Sequence, residues 1–320
     1  MWLLLSGFAH AFCGTFVGSD GSTLTNSASQ VVLARDGTRT TMTLAMDYEG
    51  DLAEFALVLP VPSVLGAEDV AVVDEDLLAR VDEWSMPREV AYTCDDLVSV
   101  DHEFSGCGMT LGCASSKDDK AGDWDTADVA AGSVSVESTF SEAGYDFVVL
   151  SAEASSGLLV WLEENGYSLP AGGEDVLQEY IDAGSYFLAA RVSLDATGEG
   201  NRWLPPIQIS YESEAWSLPI RIGTISADGP QEVIVYALNS YEKGEAGISN
   251  YPEVEVEDEC MRPDSAELGP YYQQSLDEAF APGAGWLVEY SWDLTANCDP
   301  CTTSQGLTPD ELSALRNVST

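Results

Sequence analysis

Residues 30–62, QVVLARDGTRTTMTLAMDYEGDLAEFALVLPVP, decide the fold class. Gln30 to Ala34 has the β-branched, apolar character of a strand, and Asp36-Gly37 is a hairpin turn. Thr40 to Tyr48 partly alternates and reads as the returning strand. Glu49-Gly50-Asp51 then turns the chain into Glu54 to Leu59, where Pro60 and Pro62 should stop the strand. The stretch reads as a β-meander.

The same signals extend outward on both sides. Asp74 caps a short helix in which Leu77, Leu78 and Val81 share a face, with Pro87 as its far limit. Strands are expected at Val134 to Phe140 and Tyr145 to Leu150 around the turn Glu142-Ala143-Gly144. A helix should follow with Ser155 as cap, Leu158, Leu159, Trp161 and Leu162 as its apolar body, and Asn165-Gly166 as its C-terminal stop. A second helix carries Val176, Leu177, Tyr180 and Ile181 and closes at Gly184. Further strands are expected at Tyr186 to Leu194, Pro206 to Tyr211, Ser217 to Ile222, Glu232 to Leu238 and Gly285 to Asp293. The end of Asp264 to Phe280 is helical, and Pro309 opens a last helix close to the final residue, as in a truncated product. These elements predict an α+β protein with central antiparallel sheet and a few short helices packed on one side.

The start of the chain has the form of an export signal. Met1 to Phe8 is apolar, and Ala9-His10-Ala11 is a small-x-small cleavage site before Phe12. The organisation expected is a signal peptide at 1–11, a β-meander plus helix at 12–94, an acidic cysteine-containing insertion at 95–132, and an α+β second part at 133–320. No apolar stretch reaches the roughly 20 residues of a membrane-spanning helix. The chain is expected to be periplasmic, on the cell surface or extracellular, with a partner from the envelope or exterior.

Charge narrows the partner classes. Twelve Lys and Arg stand against 55 Asp and Glu, a formal charge of −43. Phosphate backbones and anionic lipid surfaces repel such a chain, which argues against nucleic acid and direct membrane adsorption.

Seven cysteines accompany the export signal. Cys94, Cys107, Cys113, Cys260, Cys298 and Cys301 are the candidates for up to three disulfides, leaving Cys13 as an odd thiol. Cys298 and Cys301, two residues apart, also have the spacing of a thiol–disulfide exchange pair. They follow a strand and enter the loop Thr302 to Gly306 rather than a helix, which favours a structural role. A zinc site from Cys107, Cys113, Cys298 and Cys301 is the third reading, disfavoured by an oxidising compartment.

Catalytic groups are few. Once the signal is removed, His102 is the only histidine, and neither a G-x-S-x-G elbow nor a phosphate-binding glycine loop is present. A hydrolase built on two carboxylates remains the enzymatic alternative, with Trp203 and Trp216 as sugar platforms; Trp84 and Trp161 sit at core spacing. Calcium, the one cofactor considered, has a locus at Asp118, Asp119, Asp123, Asp125 and Asp128, although a hydrated acidic loop is the favoured reading of that run.

The strand-rich segments resemble the bacterial family known as domain of unknown function 2330. The resemblance rests on Gln30–Pro62, on Trp161-Leu162-Glu163-Glu164-Asn165-Gly166-Tyr167, on Leu218-Pro219-Ile220-Arg221-Ile222-Gly223-Thr224 and on Cys298-Asp299-Pro300-Cys301. It implies an exported protein, sometimes anchored beyond the domain, and implies no particular activity. The leading expectation is a non-enzymatic binding or scaffolding module.

Overall fold

The computed structural model describes residues 13–18, 29–46, 55–87, 134–170, 172–192, 204–226, 233–239, 245–256, 268–291 and 306–317. The chain divides into two compact units, one from residues 1–78, 114–240 and 309–320, the other from 79–113 and 241–308.

In the first unit, alternation along the strands builds two five-stranded sheets. One is antiparallel throughout, in the order β1 (Thr15–Gly18), β4 (Phe55–Val61), β8 (Tyr186–Val192), β7 (Tyr145–Ala152), β6 (Val134–Glu142). The other has the order β10 (Ile234–Asn239), β2 (Ser29–Asp36), β3 (Arg39–Met46), β9 (Ile207–Glu212), β5 (Val70–Val72). Its β10 runs parallel to β2, so this sheet is mixed rather than antiparallel.

The two sheets share a core. Leu57 and Leu59 of β4, Phe147 and Val149 of β7, and Leu188 of β8 meet Val31, Leu33, Met42, Leu44, Ile207 and Ile209. The opposite face of the antiparallel sheet is buried as well. There Ala56, Val58, Val148, Leu150, Phe187 and Ala189 pack with Leu158, Trp161 and Leu162 of α2 (Ser155–Glu164) and Leu177 of α3 (Gly173–Asp182). A sheet covered on both faces needs near-continuous apolar strands, and FALVLPV and YDFVVLSA supply them. Size is matched across β8, because Ala190 lies between Leu57 and Phe147, and Ala189 between Val58 and Val148. Small residues in the middle strand let large neighbours interdigitate.

Local signals explain the element ends. Asp74 Oδ1 accepts the Asp76 backbone N–H at 3.0 Å and opens α1 (Glu75–Ser85), in which Leu78 and Val81 are buried. Gly166 and Gly184, with φ of 86° and 80°, supply the left-handed stops after α2 and α3. Ala154, rather than Ser155, is the N-cap of α2, and Gln178 of α3 accepts the Ser155 N–H at 2.9 Å in place of a cap side chain.

Four expectations are corrected. The meander is broken, since β2 and β3 form the hairpin while β4 joins the other sheet. Pro60 lies inside β4 opposite Phe187; β1 reaches only Phe55 to Val58, so no strand on that side asks Pro60 for an N–H. Ser217 to Ile222 is not a strand but runs into a 3-10 helix at Ile220–Ser226. Its alternation has another cause, because Leu218 and Ile220 face the inter-sheet core whereas Ile222 faces the helical side. Helices also cover both outer faces, since α5 (Pro309–Leu315) docks on the mixed sheet.

The described part of the second unit is small. Helix α4 (Leu268–Ala279) ends the segment expected to turn helical. Trp286 pairs with Glu253 in an isolated parallel bridge and donates Nε1–H to the Tyr251 carbonyl at 3.1 Å. Gly285 to Ser291, the described part of the strand expected at Gly285 to Asp293, is therefore a loop pinned by one tryptophan. The insertion at 95–132 lies outside the described residues.

Candidate functional site

The outer face of the mixed sheet differs from every other packed surface of the first unit, because it is polar. Thr41 and Thr43 of β3 and Gln208 and Ser210 of β9 all point outward, and none is more than 2% exposed. Helix α5 covers them. Thr41 Oγ1 donates to the Arg316 carbonyl at 3.0 Å, and Gln208 Nε2 donates to Thr43 Oγ1 at 2.9 Å and the Ala314 carbonyl at 3.0 Å. Asn317 Nδ2 donates to Ser210 Oγ at 3.1 Å, while fully buried Leu315 is the apolar peg. Sheet side chains thus satisfy the carbonyls that a helix C-terminus leaves open.

Beside this contact the β2–β3 hairpin makes a shallow depression of about 20 Å³, lined by Ala34, Arg35, Asp36, Arg39, Thr41 and Arg316. The tight turn at Gly37, with φ of 62°, sets Asp36 opposite Arg39 and Arg35 opposite Thr40. Arg35 is 9% exposed and is fixed by Nη1–H to Thr40 Oγ1 at 2.6 Å and Nη2–H to the Glu214 carbonyl at 3.3 Å. Arg316 Nη2 meets Asp36 Oδ2 at 2.5 Å. Both partners are substantially exposed, so this pair contributes about 0.2–1 kcal/mol and mainly orients Arg316. Arg39 is half-buried and makes no ion pair among the described residues.

Three of the chain's 12 basic residues border this depression, but Arg35 faces the inter-sheet core with Thr40 and Tyr211, whereas Arg39 lies on the outer face, directly across from Glu212. On the outer face Arg39 and Arg316 stand beside Asp36 and Glu212, so the charges there are balanced. The chemistry on offer is hydrogen bonding and charge: guanidinium stays protonated and presents several N–H donors in a fixed fork. Behind it, burial pushes the Tyr211 hydroxyl up to about 12, a shift that the Arg35 charge opposes and Cys13 adds to.

The sequence reading did not single out these arginines. The signal was present in Ala34-Arg35-Asp36-Gly37-Thr38-Arg39, two arginines flanking a hairpin turn in a chain with few of them. Other candidates fall elsewhere. Cys94, Cys107, Cys113, Cys260, Cys298, Cys301, His102, Trp203 and the aspartates 118, 119, 123, 125 and 128 lie outside the described residues. Cys13 is a free, buried thiol whose pKa desolvation pushes up to about 12. Trp161 is a core residue at 2% exposure, and Trp216 is 39% exposed. Among the described residues no three His, Cys, Asp or Glu gather as metal ligands, and no helix is long and apolar enough to cross a membrane.

Comparison with known proteins places the chain in a sequence family. The model of the uncharacterized protein family conserved in bacteria, domain of unknown function 2330 (DUF2330), matches residues 8–318, and the chain belongs to that family. Neither a curated protein nor a solved structure matches it.

Proposed function

We propose that this member of the family is an exported envelope or extracellular protein that acts as a non-enzymatic binding or scaffolding module. The observation that carries the export half is where the first sheet begins. Cys13 and Thr15 to Gly18 are all buried, with β1 paired to β4 from Thr15↔Val58 to Gly18↔Phe55. Cleavage after Ala11 removes the apolar leader and spares every residue of that strand. The binding half is supported by the depression at the β2–β3 turn, whose guanidinium groups hold charge in place but do not shuttle protons.

The test is fractionation of bacterial cells producing the full chain and a variant lacking residues 2–11. The full chain is expected in the exported fraction and the deletion variant in the cytoplasm. A full chain retained in the cytoplasm contradicts the proposal.

A further inference from the structure

We infer that the loop Gly247 to Pro252 in the second unit is a docking point for a cationic segment of a protein partner, one that sets an apolar side chain against Ile248 and Tyr251 and Lys or Arg among the carboxylates around them. The inference rests on the reading of the chain as a binding module and names the chemistry of the partner.

The loop is fastened at both ends to one residue. Trp286 donates Nε1–H to the Tyr251 carbonyl at 3.1 Å and its backbone N–H to the Pro252 carbonyl at 3.0 Å, and its own carbonyl accepts the Val254 N–H at 2.8 Å. At the other end, a side chain on Gly247 would begin 3.4 Å from Trp286 Cη2, so the backbone there lies against the indole. Between the fastenings stands Ile248-Ser249-Asn250-Tyr251, exposed at every residue. Ile248 is 42% and Tyr251 38% exposed, so four residues carry two of the eight large apolar side chains left open among the described residues. That concentration distinguishes the loop from apolar residues scattered singly over a surface. Isoleucine is stiff at its β-branch and tyrosine has only two side-chain torsions, so neither loses much freedom in a contact. With the backbone already held, little ordering remains to be done when a partner arrives.

Charge decides the occupant. Residues 241–308 hold 14 carboxylates against Lys243 and Arg262, and Glu245, Glu253 and Glu255, which flank the loop in sequence, are exposed. A second copy of the chain brings the same −43 and is repelled. An anionic lipid surface is repelled for the same reason. A segment that carries Lys or Arg beside an apolar residue is attracted on both counts. Its apolar side chain covers Ile248, and its cation is drawn to the face of the Tyr251 ring and to the neighbouring carboxylates. At physiological ionic strength, screening over about 8 Å confines that attraction to the charges nearest the loop. The contact is therefore local, and the exposed apolar pair selects where on an acidic surface it forms.

The experiment is a fluorescence anisotropy titration of labelled peptides with the purified full chain at about 0.15 M NaCl. The probes are a peptide of alternating arginine and leucine, one with glutamate in place of arginine, and one with glycine in place of leucine. The arginine–leucine peptide is expected to bind about tenfold or more tighter than either of the others. Ile248→Ser and Tyr251→Ser, both at exposed positions, should each weaken it about tenfold or more without changing the charge of the chain. Trp216→Ser, at an exposed tryptophan of the first unit, should leave binding unchanged. Glu253→Gln combined with Glu255→Gln should weaken binding and flatten its dependence on salt. No saturable binding of the arginine–leucine peptide, equal binding of the glutamate peptide, or affinity unchanged by Ile248→Ser and Tyr251→Ser overturns the inference. Phosphatidylcholine vesicles that bind the parent chain but not the Ile248→Ser variant make the loop a lipid contact and overturn it as well. The titration does not depend on export, so it can fail while the fractionation result stands, and the reverse.

Discussion

Adjacent valines on β7 provide the sharpest test of the layered fold. Val149 faces the core between the sheets and Val148 the core beneath α2 and α3; both are 0% exposed. Valine to threonine keeps the shape and replaces a methyl with a hydroxyl. In either core that hydroxyl loses water and gains no designed partner, a cost of about 1–3 kcal/mol. Val148→Thr and Val149→Thr should therefore each lower the free energy of unfolding by about that amount. In a two-layered sandwich one of the two would face solvent, and its threonine would be neutral within about 0.5 kcal/mol. Urea unfolding followed by circular dichroism, with linear extrapolation, measures both. If either variant is as stable as the parent chain, the sheet is not buried on both faces and the reasoning fails.

Further expectations concern buried acids, the α5 contact and one turn. Cys13 is pushed up to about 12 from 9.0, so the folded chain keeps a proton that the unfolded chain has released. Stability is full below pH 9 and falls toward pH 12 by about 1.4 kcal/mol per pH unit. Tyr211, raised from 10.0 to about 12, steepens that loss above pH 10. Cys13→Ala should flatten the decline between pH 9 and 10 in alkaline denaturation, and an unchanged slope contradicts the assignment. Gln208→Ala strands Thr43 Oγ1 and the Ala314 carbonyl; amide exchange across 309–317 should accelerate at least tenfold, while β7 amides keep their protection. Ala143 sits at φ 43° before Gly144 at 90°, a turn that prefers asparagine first. Ala143→Asn should raise unfolding free energy by about 0.5–1 kcal/mol in the same urea assay.

Local chemistry made much of this fold legible. The Asp36-Gly37 turn, the Ala143-Gly144 turn and the glycines after α2 and α3 act within a few residues, and the hairpins and helices beside them form as their sequences indicate. Placement in the sheets was not legible. Whether β4 pairs with β3 or crosses to β8 depends on residues more than a hundred positions away, and apolar alternation looks the same in either case. Ser217 to Ile222 misled for a related reason, since its alternation divides between two cores instead of lining one. The site was hidden by averaging. A charge of −43 describes the whole surface and conceals three arginines, one of which arrives beside Asp36 from 280 residues along the chain. Arg35 and Arg39 alone were visible as neighbours, and only the docking of α5 completes the set.

The claim that this chain is exported and folded around a reduced Cys13 is tested most directly by one mass measurement. Protein recovered from an oxidising compartment is alkylated before and after unfolding, weighed intact and mapped for disulfides. The account predicts a chain beginning at Phe12, Cys13 alkylated only after unfolding, and Cys94, Cys107, Cys113, Cys260, Cys298 and Cys301 oxidised. A chain that keeps Met1, or a bridge that includes Cys13, contradicts it.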